Sequence, residues 1–464
     1  MSPMQQIMLG VSPGGEEYWI VTDGSTDTSD ELNYKFMHVD SAGNVFAFGE
    51  SKDNSTSPAH YQHLALHKYN AKGDKAFHQR YRYSGNSQTA RGMGALTNGQ
   101  IVLGAGTSCT YPQNFLVNAS DGAMQWDKNL SSGGDGANSC VPTWGLSVAP
   151  NNDIIYNQTG SGGSNIAIMM WKLNASGTNQ DDKEFGTYGG AYPNTSGHDS
   201  SSNFFLVGEH KSGGWPVGTR GWICKFNTSF QLQWNKRLGN STGYHMNEFY
   251  AMASDSSDNI YIAGEHRPSN PYYGWVIKLN SSGVIQWQKK IDHPSGVGSW
   301  VRLRAIDVDD SGNVYVGGQV DYNGRTPFWA CLDSSGDFQH ARYLKNTVDN
   351  AGEDWLSDLK IKGDAVYFCG KWKVDSANYH GMVVKVPKDG TATGSYGPSN
   401  IFEYGSWTMT VSDTSFSMED LDNGGSDWPV NNPSATNVSI NPPNDYVTET
   451  PSWSEQRVAK DITG

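Results

Sequence analysis

Two Glu-His steps, Glu209-His210 and Glu265-His266, are the nearest approach to a cluster among the 12 histidines of the chain. A carboxylate beside an imidazole can supply metal ligands, or an acid and a base. The two steps also fit equivalent rim positions of a repeat. Asp307-Val308-Asp309-Asp310-Ser311-Gly312 matches the opening of a calcium loop, with Asp307, Asp309 and Ser311 as alternate oxygen ligands before a sharp glycine turn. The twelfth position is Gly318 rather than Glu, so an ordinary hairpin turn is expected and no metal is assigned. A third set joins aromatic rings to guanidinium groups outside any strand pattern: Tyr111, Trp215, Arg267, Tyr272, Tyr273, Arg325 and Trp372. Carbohydrate stacking and protein hot spots use such residues, as does packing between repeats. There is no nucleophile elbow, phosphate loop or zinc spacing, and no cofactor is expected. The five cysteines are scattered and read as small buried apolar residues, with Cys109 and Cys140 the one pair to test for a disulfide.

What must position these residues is a repeat. Trp275 to Lys289, WVIKLNSSGVIQWQK, is an apolar strand, a tight polar turn and a second apolar strand. The same turn ends at residues 73, 122, 177, 230, 283, 336 and 390, a period of about 53 residues, as in propeller blades. A second hairpin precedes each copy, as in Val39 to Phe46 and Val308 to Tyr315, and the strand leaving it often ends in glycine, at Gly49, Gly208, Gly264, Gly318 and Gly370. Each unit therefore reads as four antiparallel strands. The predicted fold is all-β: a seven-bladed β-propeller of four-stranded antiparallel blades with a C-terminal extended tail. Residues 1–33 form an N-terminal arm with a possible ring-closing strand, 34–396 the propeller, and 397–464 a C-terminal arm or small β appendage. Either Glu17 to Val21 or Ser406 to Val411 can complete the last blade. Both tight hairpins of a blade lie on one face, which leaves the long loops, with the aromatic and basic set, on the other as the candidate binding face.

Of 464 residues only 36% are hydrophobic, with 54 glycines, which suits many short strands and turns. A net charge of −14 disfavours nucleic acid and anionic lipid as partners. No segment approaches the length of a membrane span or of a signal peptide. The polar ends, residues 1–16 and about 412–464, hold too few apolar groups to offset the cost of ordering them, so both are expected to be held by contacts from outside the ring.

The hairpin LNSSGVIQWQ, with Gly283 and Trp287, and again Gly122 and Trp126, resembles the Asp-x-x-Thr-Gly-x-x-x-Trp hairpin of quinoprotein-like propellers. The chain has no adjacent cysteine pair of the kind some quinoprotein dehydrogenases use, so the resemblance implies blade shape and no catalytic residue. Bacterial seven-bladed repeats of the SSGNVYVGG type are similar over about residues 34 to 396. The opening MSPMQQIMLG resembles the start of virion structural proteins of marine tailed bacteriophages. That resemblance implies a non-enzymatic virion component, a tail, fibre-associated or capsid-decorating protein, binding other virion or assembly proteins through its arms. The alternative location is the cytoplasm. The alternative functions are a glycan-binding propeller that meets cell-surface glycan, and a quinoprotein-like or hydrolytic enzyme.

Overall fold

The structure, a computed structural model, describes residues 4–11, 17–24, 31–52, 62–82, 87–107, 112–130, 140–141, 145–162, 165–187, 190–211, 219–239, 246–268, 272–293, 300–321, 324–347, 353–373, 379–397, 401–421, 430–431 and 447–449. It is all-β, with seven four-stranded antiparallel blades arranged as a β-propeller. The chain divides into two compact units, Met1–Thr89 with Ile291–Val411 and Asp445–Gly464, and Ala90–Lys290 with Ser412–Asn444.

The first unit carries three blades. The first blade is Glu31–Val39, Val45–Lys52, Gln62–Tyr69 and Lys75–Arg82; the sixth is Trp300–Val308, Val314–Asp321, Arg325–Leu332 and Phe338–Asn346. The seventh takes Trp355–Lys362, Ala365–Lys373 and Tyr379–Pro387 from one end of the chain and Glu17–Asp23 from the other, paired Trp19 to Lys385 and Val21 to Val383. The closing strand is thus the N-terminal candidate. The rival segment does something else: Phe402–Trp407 adds a fifth strand to the sixth blade, with Trp407 opposite Ala341. Met4–Val11 adds a fifth strand beyond Glu17–Asp23, and Val447–Glu449 one beyond Lys75–Arg82.

The second unit holds the other four blades, whose second strands are Ile101–Thr107, Ile154–Gly162, Phe204–Lys211 and Ile260–Arg267. Here too the tail supplies fifth strands, Val430–Asn431 beside Asn179–Thr187 and Met418–Asp420 beside Leu232–Leu238. Its side chains add to the backbone pairing. Glu419 pairs with Arg220 at 2.7 Å and Arg237 at 2.9 Å, Asp413 with Lys289 at 2.8 Å, and Phe416 packs on Trp275 at 4.8 Å between ring centroids. A strand-poor tail is held this way because main-chain hydrogen bonds need no apolar pattern.

Second strands such as Val45–Lys52 and Ile260–Arg267 are buried along almost their whole length, as expected of strands covered on both faces. The hairpin turns share one device. The Asp40 carboxylate accepts hydrogen bonds from the Ala42 and Asn44 amides, both at 2.9 Å, and Asn280 Oδ1 does the same for Ser282 and Val284. The chain then passes through a left-handed residue, at φ 78° for Gly43 and 74° for Gly283, but also 61° at Ser202. The calcium-loop segment is one of these turns. Asp309 Oδ1 accepts from the Ser311 and Asn313 amides at 3.0 and 2.9 Å, and Asp307 Oδ2 from the Ile361 amide at 2.8 Å, so these oxygens hold backbone. Among the described residues no group of His, Cys, Asp or Glu is placed to hold a metal ion. Cys224, Cys331 and Cys369 are buried and free, as read from sequence. Cys109 lies outside the described residues.

A buried polar network ties the closing strand to the first blade. Asp23 Oδ2 lies 2.9 Å from His67 Nδ1, accepts from the Tyr69 hydroxyl at 3.0 Å and pairs with Lys75 Nζ at 3.0 Å. Burial alone would raise the Asp23 pKa, but the charges and hydrogen bonds of His67 and Lys75 outweigh it and hold the carboxyl well below its usual range. Burial pushes His67 down to about 4, so the pair is carboxylate and neutral imidazole.

Two expectations follow from the turns and the histidines. Gly99 has φ 84° and nothing within 4 Å of an added Cβ, so Gly99→Ala isolates the backbone cost, about 1 kcal/mol of destabilisation, whereas Ser202→Gly should stabilise by a few tenths. Chemical denaturation of both variants measures this, and equal signs would refute the strain account. Burial lowers His38, His67, His198 and His210 to about 4 each. Between the unfolded value of about 6.5 and that folded value, the unfolded chain binds more protons, so stability should fall as pH drops through this window. Denaturation midpoints at pH 7.5, 6 and 4.5 should descend; a flat series would contradict neutral burial.

Candidate functional site

The glycines expected to end the second strands lie inside them, since the strands continue to Lys52, Lys211, Arg267, Asp321 and Lys373, and each glycine is fixed by contact with the first strand. A Cβ on Gly49, Gly208, Gly264, Gly318 or Gly370 would lie 1.9, 1.9, 2.0, 1.8 or 1.7 Å from the carbonyl oxygen of Asn33, Tyr192, Glu248, Arg302 or Trp355. No side chain fits there. At the same place the first strand carries an extra residue, a β-bulge, at Lys35, Asn194, Tyr250, Arg304 and Ser357. Bulges re-aim side chains. Directly opposite the carbonyl-bearing residue stands the residue after the glycine, Glu50, Glu209, Glu265, Gln319 or Lys371, so each of these blades presents polar side chains at one repeated locus.

In the second unit this locus gathers a cluster from the fourth and fifth blades. The Tyr250 hydroxyl contacts Glu248 and lies 2.6 Å from Glu265 Oε1. Arg267 pairs with Glu265, reaches Glu248 at 3.7 Å and the Tyr250 oxygen at 3.5 Å, and its guanidinium lies 4.8 Å over the Tyr272 ring. On the fourth blade Lys211 pairs with Glu209 at 2.9 Å and lies 4.4 Å over the Tyr192 ring. Burial and the neighbouring Glu248 charge raise the Glu209 pKa, against Lys211 and Arg267, which lower it. Burial also works against the Arg267 and Lys211 charges, yet Glu265 and Glu209 more than compensate and hold both cations protonated. Glu209 Oε2 is buried and, among the described residues, has no hydrogen-bond donor. Three carboxylates, one phenol, two cations and two aromatic faces therefore meet in a half-buried setting, suited to a ligand rich in hydroxyl groups.

The Glu-His steps separate at this site. Successive strand residues face opposite ways, so Glu209 and Glu265 join the cluster while their histidines turn from it. His266 packs on Phe416 of the tail at 4.5 Å, and His210 is buried, pushed down to about 4 by burial, Arg237 and Arg220. Arg267 and Tyr272 belong to the cluster; Tyr273 lies beside it, its ring 3.5 Å from Lys290 Nζ. Arg325 sits in the first unit, 4.9 Å over Trp355 and 3.9 Å from Glu353. Trp372 is not on an open loop: it is 3% exposed on a strand that runs to Lys373, with its ring 4.6 Å from Phe402 of the tail. Tyr111 and Trp215 lie outside the described residues. Reading the loops missed Tyr192, Lys211, Glu248 and Tyr250. The one signal near them was a charged residue directly after the repeated glycine, as at Glu209 and Glu265.

No protein-family model matches the chain, and no curated protein matches it in sequence. Among solved structures it is similar to the polysaccharide lyase Uly1, at 10% identity and a TM-score of 0.47 over 77% of this chain and 90% of that one. It is also similar to the Dos1 propeller, at 9% identity and a TM-score of 0.44 over 82% and 95%, and to a europium-containing methanol dehydrogenase, at 9% and 0.41 over 80% and 87%. Likenesses this distant carry no argument about activity. None supports the virion role that the opening ten residues suggested.

The glycine contact gives a direct test. Gly264→Ala should destabilise by roughly 2 kcal/mol or more, well beyond Gly99→Ala, because the new Cβ meets backbone 2.0 Å away. Stability within error of the parent would show that the bulge does not depend on glycine.

Proposed function

We propose that this protein is a non-enzymatic carbohydrate-binding β-propeller whose ligand sits on the Glu209, Lys211, Glu248, Tyr250, Glu265 and Arg267 cluster, between the Tyr192 and Tyr272 rings. The observation that carries the reading is the set of half-buried acceptors and donors raised on adjacent bulged blades, with Glu209 Oε2 lacking a donor among the described residues. Sugar hydroxyls donate to carboxylates and accept from Lys and Arg, and aromatic rings stack on sugar faces. The tail strands that an exchange of arms between subunits would use are paired to the chain's own blades, which favours a role centred on the blades.

Binding of the full chain to a glycan array, followed by calorimetry on the best oligosaccharide, tests this. Glu209→Gln and Arg267→Gln should each weaken binding about 10- to 100-fold, the worth of one hydrogen bond to a charged group. The bound oligosaccharide should be recovered uncut. Array signals at background, or variants that bind as the parent does, would sink the reading, and shortened products would make the protein an enzyme.

A further inference from the structure

On three blades the residue after the repeated glycine is a glutamate that meets a donor of its own locus. Glu50 pairs with Lys35 at 2.6 Å, Glu209 pairs with Lys211 at 2.9 Å, and Glu265 accepts from the Tyr250 hydroxyl at 2.6 Å and pairs with Arg267. The sixth blade keeps the frame and changes the charge. Its bulge residue, in the place of Lys35 and Tyr250, is Arg304, and Arg302 stands directly opposite the residue after Gly318, which is Gln319, a neutral amide. Lys35 and Tyr250 both reach the residue after their glycine, so the same bulge aims Arg304 at Gln319. Arg302 and Gln319, as a directly opposed pair, share one face of the sheet. Both arginines are half-buried, and the Arg302 guanidinium lies 5.1 Å over the Trp300 ring.

Two buried polar side chains are left over at this end of the blade. Gln319 is fully buried, and among the described residues neither its Oε1 nor its Nε2 has a hydrogen-bond partner. Trp355 Nε1, on the seventh blade, is buried and likewise unpartnered among the described residues. The two blades abut here. A Cβ on Gly317 would lie 2.7 Å from the Leu356 side chain, and the Arg325 guanidinium of the sixth blade lies 4.9 Å over the Trp355 ring. Arg325 already faces Glu353 at 3.9 Å, so an added negative charge falls to Arg302 and Arg304. Native interiors seldom leave both atoms of a buried amide unbonded, and a ligand that bonds them removes the penalty.

We propose that the sixth blade binds a carboxylate that carries a neighbouring hydroxyl group, held by Arg302 and Arg304 with Gln319 at the inner end of the site. The ligand supplies the acid that Glu50, Glu209 and Glu265 supply on their own blades. A guanidinium matches a carboxylate in plane and in charge and can meet it through two parallel hydrogen bonds. Gln319 Nε2 and Trp355 Nε1 donate to ligand oxygens. Gln319 Oε1 needs a donor, which a carboxylate lacks and the hydroxyl provides. The proposal is independent of the saccharide site, which lies on the fourth and fifth blades.

Calorimetry on the full chain compares gluconate, hexanoate and sorbitol: an acid with hydroxyls, an acid alone and hydroxyls alone. Gluconate should bind, and the other two should each bind about ten-fold more weakly or worse. Gln319→Glu installs the acid that stands at this place on three other blades, so it should fold, and its own carboxylate should occupy the guanidiniums and weaken gluconate about ten-fold or more. Arg304→Gln should weaken gluconate about 10- to 100-fold. No binding of gluconate to the parent protein at about 10 mM overturns the proposal without recourse to any variant. A folded Gln319→Glu that binds gluconate as the parent does overturns it as well. Hexanoate binding as tightly as gluconate overturns the part assigned to the Gln319 amide, and sorbitol binding as tightly overturns the part assigned to the guanidiniums.

Discussion

A carbonyl oxygen of the first strand occupies the space where a side chain would begin on the second, and the polar locus repeated on five blades depends on this contact. With oxygen less than 2.1 Å from an ideal Cβ, glycine is the one residue that fits, and the bulge and the glycine require each other. The backbone at this point is therefore constant while the four side chains around it are free to differ. The fifth blade has Glu248, Tyr250, Glu265 and Arg267 there; the sixth has Arg302, Arg304, Gln319 and Asp321. One rigid frame can thus carry an acidic cluster on one blade and a cationic one on another without any change of fold.

Stitching within each unit follows the same economy of backbone. In the first unit Asp307 accepts from the Ile361 amide and Asp358 from the Met37 amide, at 2.8 and 2.9 Å, so one acid per blade serves the next blade's first strand. In the second, the Asn194 side chain donates to the Phe249 carbonyl at 2.9 Å and Ser254 Oγ to the His198 carbonyl at 2.7 Å. Such bonds spare buried polar groups the cost of lying unpaired. Asp23 is the extreme case, a buried carboxylate tolerable only because Lys75 and His67 meet it.

The repeat was legible because its turns are written in local chemistry: an Asp or Asn that caps its own loop and a residue with positive φ, as in Asp40 to Gly43 and Asn280 to Gly283. The closing strand was half legible, since Tyr18, Trp19, Ile20 and Val21 form an apolar run but nothing local names their partner. The fifth strands were not legible at all. Met418–Asp420 pairs through its backbone, and its acidic side chain finds Arg220 and Arg237, residues about two hundred positions away. The site was partly visible: the glycines were noted, and so were Glu209 and Glu265 after two of them, but why they belong together is a cross-strand fact about a carbonyl and a bulge. Trp372 misled because a residue just past a glycine reads as loop, whereas its strand continues and Phe402 covers it.

The seventh blade joins strands that lie far apart along the chain, Glu17–Asp23 and Tyr379–Pro387. Glu17–Asp23 is made long before Tyr379–Pro387, so Trp19, Ile20 and Val21, each fully buried in the finished protein, have only the neighbouring Met4–Val11 to pair with while more than three hundred residues follow. The loop they close is so long that its entropic cost barely depends on its length, rising by about 0.6 kcal/mol per doubling, and the delay is kinetic rather than energetic. Nascent chains therefore carry this apolar strand without its blade until Tyr379–Pro387 has been made, and handling that strand becomes a task for chaperones.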